Sequence, residues 1–131
     1  MSERHGVAWW NELMTRDLPA ALNYYQSLCG WSFETMPMPE GGDYHIGMKD
    51  GKPMAGFMDM AHMADLNEAP PHWITYFAVD DVDAAIAATT EAGGQVIREI
   101  YEVPNTGRIA IVEDPSGVTV GLITPAPMES G

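Results

Sequence analysis

The chain is written twice. Two stretches match at a constant offset of 64: Trp9 with Trp73, Asp17 with Asp81, Ala20-Ala21 with Ala84-Ala85, and Gly30 with Gly94. A repeat of that period means one supersecondary unit used two times, each too small to bury its own sheet face alone. Each half reads as an apolar strand, an acidic turn, an alanine-rich helix ended by glycine, and three further strands.

In the first half VAWWNELM (7–14) has the aromatic and apolar content of a strand, and Asp17 sits where a helix N-cap belongs. Pro19 falls in the first turn, where its missing N–H costs little. LPAALNYYQSLC (18–29) places Leu18, Leu22 and Tyr25 on one helical face, with Ala21 and Leu28 beside them, and Gly30 supplies the stop. Strands are predicted at 31–38, 43–49 and 53–60, broken by PEGG (39–42) and DGKP (50–53). The second half predicts a strand at 72–79, a cap at Asp81, a helix ended by Gly93-Gly94, and strands at 95–103, 107–113 and 118–124 around PNTG and DPSG turns. The fold class is therefore α+β, two tandem βαβββ modules in a single domain over 1–131. Module one covers 6–60 and module two 72–125, joined by the polar, proline-terminated linker 61–71.

Charge narrows the partners. Nineteen Asp and Glu face six Lys and Arg, a formal net charge of -13. Nucleic acid and anionic membrane surfaces both need basic patches, so neither is expected as a partner. Neutral or cationic small molecules are favoured instead, and the acidity also serves solubility. The single cysteine, Cys29, rules out an internal disulfide and a cysteine-rich zinc site, which makes a cytoplasmic setting the expectation. No apolar run approaches the ~18–20 residues of a membrane span, and no signal-peptide core precedes Glu12. Phosphate loops, dinucleotide fingerprints, nucleophile elbows and HExxH helices are all missing.

Three segments together, WNELMTRDLPAALNYYQSLCGW, APPHWITYFAVDDVDAAIAATTEAGGQV and NTGRIAIVEDPSGVTVGLITP, resemble the vicinal oxygen chelate superfamily, its glyoxalase/bleomycin-resistance/dioxygenase branch, over residues 6 to 125. The resemblance implies strands arranged as an open, incomplete barrel around a ligand cavity, and a homodimer. It also implies, for the enzymes of the group, one divalent metal held from the first, fourth, fifth and eighth strands. Other members bind drugs such as bleomycin without a metal. Carried onto this chain, the four ligand positions fall on Trp10, Gly56, Ile74 and Gly121. None of these side chains coordinates a metal. No cofactor is expected, and a divalent metal enters only if the ligands have been relocated, for example to Glu12 with His45.

Strand alternation sends Trp10, Glu12 and Met14 to one face of the first strand, so Glu12 shares the face of the implied ligand position. A carboxylate on an apolar strand is expensive to bury without a partner. It serves as a ligand anchor, as a general base and the one catalytic candidate, or in a salt bridge with Arg108. Trp10 and Tyr76, the repeat partner of Glu12, offer flat walls with polar tips. Methionines at 36, 38, 48, 54, 58, 60 and 63 would let such a face adapt to varied apolar guests, or would fill the core. The expected binding wall is Trp10, Glu12, Met54, Met58 and Tyr76, with His45 and Arg108 added. The expected function is binding of an apolar or aromatic small molecule, neutral or cationic, in the barrel cavity. The alternatives are a metal-dependent glyoxalase-like lyase, isomerase or dioxygenase with relocated ligands, a metal-free enzyme using Glu12 as base, and a protein whose function lies in an interaction surface.

Overall fold

A computed structural model describes residues 3–37, 43–60, 70–103 and 106–126. The chain runs β1 (Ala8–Thr15), α1 (Leu18–Cys29), β2 (Ser32–Pro37), β3 (Asp43–Lys49), β4 (Lys52–Asp59), β5 (His72–Ala78), α2 (Val82–Glu91), β6 (Gln95–Val103), β7 (Gly107–Glu113) and β8 (Thr119–Pro125). The fold is α+β, and every expected strand and helix is present within two residues of its sequence-based bounds. The PEGG turn and positions 61–69 of the linker, with Met38 and Met63, lie outside the described residues.

Both helices start as their sequences dictate. Asp17 accepts a hydrogen bond from the Ala20 N–H at 3.1 Å, and Gly30 closes α1 in the left-handed region at φ 74°. Asp81 accepts from the Asp83 and Ala84 N–H groups at 3.0 and 3.3 Å. Helix α2 stops at Glu91, two residues before the Gly93-Gly94 pair. There Gly94 N–H donates to the Thr89 carbonyl, and Gly93 takes φ 104°.

Two compact units divide the chain, Trp10–Ile74 and Met1–Trp9 with Thr75–Gly131. The N-terminal residues join the second because the Val7 carbonyl accepts from Ala78 N–H at 2.8 Å and Gly6 N–H donates to the Ala78 carbonyl at 2.7 Å. The first unit has strand order β2-β3-β4-β1 and the second β5-β8-β7-β6, both open sheets. In each, the first strand of the module runs parallel to its fourth and the remaining pairs are antiparallel.

One face of each sheet is covered by its helix. In the first unit Leu13, Ala55 and Phe57 pack against Leu18, Ala21, Leu22 and Tyr25 of α1, with Trp31 and Phe33. Leu28, expected beside that face, is 61% exposed. The helix ends its packing one turn earlier, at Tyr25. In the second unit Val82, Ala110, Val112 and Leu122 gather Ala85, Ile86, Ile100 and Val120.

The β7–β8 hairpin turns on Asp114, whose Oδ1 accepts from the Ser116 hydroxyl at 2.6 Å, Ser116 N–H at 2.8 Å and Val118 N–H at 3.0 Å. The Ser116 hydroxyl first, then the Val118 N–H, hold this carboxyl below its ordinary 3.8. A depressed folded-state value adds stability that is present above the unfolded pKa and is lost as pH falls through the folded one. Asp114→Ala should therefore lower the melting temperature at neutral pH. Melts recorded down a pH series should show that gap closing below pH 3.8. A gap of constant size would show that the charge plays no part.

Candidate functional site

The helix-free face of the first unit is built by strand alternation. Because Leu13 and Phe57 turn toward α1, their neighbours Glu12, Met14, Gly56 and Met58 turn the other way. Register then aligns four residues across the sheet: Glu34 on β2 opposite Ile46 on β3, Ile46 opposite Gly56 on β4, and Gly56 opposite Glu12 on β1. Glu12 is 5% exposed. Beside it the Trp10 indole N–H donates to the Tyr44 hydroxyl at 2.8 Å. That hydroxyl lies where a side chain at Gly56 would begin. Met14 and Met58 are paired across β1 and β4, Met54 follows in the same phase, and Met36 lies opposite Tyr44. This face combines a buried carboxylate, a hydrogen-bonded Trp–Tyr pair and four thioethers.

The second unit repeats the plan with other chemistry. Tyr76 on β5 lies opposite Gly121 on β8, Gly121 opposite Ile111 on β7, and Ile111 opposite Arg98 on β6. Tyr76 is buried, and its ring covers Gly121.

Expected wall residues Trp10, Glu12, Met54 and Met58 thus share one face of the first unit, while Tyr76 occupies the matching face of the second. His45 and Arg108 lie on the helix sides of their sheets. His45 is opposite Phe57 on the α1 side of the sheet and is hydrogen-bonded through Nδ1 to the Thr35 hydroxyl at 3.0 Å. Neighbouring residues on a strand point to opposite faces, so Ile46, not His45, is in the Glu12 row. Arg108 is in phase with Ala110 and Val112 on the α2 side. Its guanidinium pairs there with Asp83 at 3.1 Å and Glu102 at 3.0 Å, both exposed, so it is an α2-side surface ion pair. His72 donates from Nδ1 to the Pro70 carbonyl at 2.7 Å.

Tyr44 stands outside the expected wall, although it adjoins His45 in DYHIGM. The alternation that selects Glu12 also selects Tyr44 and Ile46. The residues directly opposite Gly56 and Gly121 are Glu12 and Tyr76.

The positions that the resemblance assigns to a metal do not suit one. Two are glycines, and tyrosines fill the space in which a ligating side chain would start. Among the described residues no group of three or more His, Cys, Asp or Glu is placed to hold a metal ion. None of the described helices is long and apolar enough to cross a membrane.

Residues 7–122 match the Glyoxalase/Bleomycin resistance protein/Dioxygenase superfamily. The chain is 38% identical to the Mycobacterium tuberculosis protein named "Putative glyoxylase CFP32", over 91% of this chain and 46% of that protein. It is 31% identical to the anthracycline biosynthesis protein DnrV of Streptomyces peucetius, over 95% of this chain and 49% of that one. The chain thus spans about half the length of these curated relatives. Among solved structures, the methylmalonyl-CoA epimerase of Streptomyces coelicolor shares the fold at 22% identity with a TM-score of 0.65, covering 97% of this chain and 99% of that one.

Proposed function

The chain belongs to the Glyoxalase/Bleomycin resistance protein/Dioxygenase superfamily, and from that premise we propose that it binds a small, apolar or aromatic, cationic molecule without a metal. The guest lies on the helix-free face of the first unit. Glu12 meets its positive charge, Trp10 and Tyr44 its flat surface, and Met54 and Met58 its apolar body. The observation that carries this reading is the row in which a 5% exposed carboxylate faces a glycine capped by the Tyr44 hydroxyl. Aromatic faces attract cations. Thioethers adapt to the shape of an apolar guest. One relative is named for anthracycline biosynthesis, and an aminoglycosylated anthracycline is a planar aromatic with a basic amine, the chemistry this face would accept. The setting in this reading is a cytoplasmic homodimer, for which sedimentation should give twice the chain mass.

Titration calorimetry with an aminoglycosylated anthracycline and with its sugar-free aglycone tests the assignment. A charge-assisted hydrogen bond contributes about 1.5–3 kcal/mol, so Glu12→Gln should weaken the aminoglycoside about tenfold or more and the aglycone far less. Trp10→Ala should weaken both. If neither compound binds, or Glu12→Gln treats them alike, the reading fails. Two further outcomes favour catalysis: consumption of the probe that Glu12→Gln abolishes while binding persists, or one tightly held zinc, iron, nickel or manganese per purified chain.

A further inference from the structure

Helix α1 carries no charge. Leu18–Cys29 holds no Asp, Glu, Lys or Arg, and the uncharged run continues to Phe33, the longest in a chain of net charge -13. A helix with one face in water ordinarily covers that face with charged side chains. Here the exposed positions include Asn23, Tyr24, Ser27 and Leu28 instead. Tyr24 is 56% and Leu28 61% exposed, and their i, i+4 spacing makes them neighbours on the helix surface.

The internal repeat shows that the fold does not ask for these two side chains. At the offset of 64 their partners are Ala88 on α2 and Ala92 just past its end, and the partner of Ser27 is Glu91. Helix α2 packs on its sheet through Val82, Ala85 and Ile86, with small residues where α1 has Tyr24 and Leu28. Helix-on-sheet packing therefore requires neither large side chain, and each exposes apolar surface that the twin helix avoids. Adjacent exposed apolar side chains of this kind mark interaction surfaces. Tyr24 is also held in place. Its ring meets the Tyr25 ring edge-on with centroids 4.9 Å apart, and Tyr25 is packed in turn against Trp31 at 6.1 Å and Phe57 at 5.6 Å. A rigid aromatic loses little freedom on binding, which suits it to anchor an interface.

Charge selects the partner. A basic partner is drawn to the acidic remainder of the chain, away from the one described helix that lacks charge. An acidic partner is repelled elsewhere, through a field that salt screens over about 8 Å at physiological strength. It approaches closely only where charge is missing. A second copy has that same net charge of -13 and the same bare helix.

We propose that the outer face of α1, centred on Tyr24 and Leu28, is the surface through which two copies of this chain pair. The contact is isologous, so α1 packs against its own copy across a two-fold axis. The inference extends the homodimer of the proposed reading and is independent of its guest, because α1 covers the face of the sheet opposite to Glu12.

Sedimentation of the full chain over a concentration series, at low and at high sodium chloride, tests the assignment. The dimer should tighten as salt rises, because screening relieves repulsion between two acidic chains and the contact holds no ion pair to weaken. Leu28→Glu should raise the dimer dissociation constant about tenfold or more. Tyr24→Ser should raise it several-fold, and it is the second variant if Leu28→Glu does not fold. Ala88→Glu, at the exposed matching position of α2, should leave it unchanged. Circular dichroism should show all three folded, and calorimetry with the anthracycline probe should not distinguish Leu28→Glu from the native chain. A dimer that survives both Leu28→Glu and Tyr24→Ser, or that loosens as salt rises, overturns the α1 assignment and leaves the homodimer standing. A monomer at every concentration and salt overturns both.

Discussion

Phe57→Ala should cost the protein about 3–5 kcal/mol of stability, the largest loss expected from any single truncation in the first unit. Phe57 is fully buried in the middle of β4, and four aromatic rings surround it. Ring centroids lie at 5.3 Å for Phe33, 5.6 Å for Tyr25, 5.8 Å for Trp73 and 6.1 Å for Trp31. All are tilted or edge-on to it, the arrangement in which one ring's positive edge meets another's negative face. Tyr25 is held in turn by the Trp73 indole N–H, which donates to its hydroxyl at 3.0 Å. Rigid rings fixed by one another collapse poorly into a void, so the cavity left by alanine should stay largely open. Domains of this size hold only about 5–15 kcal/mol in total. Urea unfolding should show a large drop in midpoint for alanine and a smaller one for Phe57→Leu, which refills part of the volume. A loss below about 1 kcal/mol for alanine would mean that the cluster is not the centre of this unit's core. Because Phe57 points away from Glu12, the folded fraction of the variant should still bind the anthracycline probe.

Periodicity and capping made the fold readable. Asp17, Gly30, Asp81 and the turn at Asp114 act through their own backbone neighbours, so the information needed to place them lies within a few residues. The phase of β1 was equally legible, because Leu13 and Glu12 must part whichever strand lies beside them. What could not be read was register between strands. That Glu12 faces Gly56, and that Ile46 rather than His45 completes the row, depends on how β1, β3 and β4 slide past each other. A one-residue slip would exchange the two faces. Arg108 shows the same limit, since its phase on β7 sends it to Asp83 on α2.

Gly121→Ala and Gly56→Ala test whether tyrosine side chains close the positions that the resemblance gives to metal ligands. A methyl group at 121 would enter the Tyr76 ring, with Cγ only 2.7 Å away. Tyr76 is 3% exposed and opposite Gly121 in the parallel β5–β8 pair, so its ring has little room to swing aside. Overpacking of this kind costs about 1–3 kcal/mol and at times more, and the upper end is expected here. At 56 the added carbon would meet the Tyr44 hydroxyl and stand 3.0 Å from the Trp10 indole nitrogen, breaking the bond between them. The half-buried Tyr44 can yield further, so Gly56→Ala should cost less than Gly121→Ala. Double-mutant cycles with Tyr76→Ala and Tyr44→Ala should recover much of each loss, because in each case the clash is with that one side chain. Additive losses would place the strain in the backbone instead. The same geometry bears on chemistry: a glutamate installed at 56 or 121 would have to displace a tyrosine before its carboxylate could reach an ion, so neither substitution alone should confer zinc or nickel binding in calorimetry.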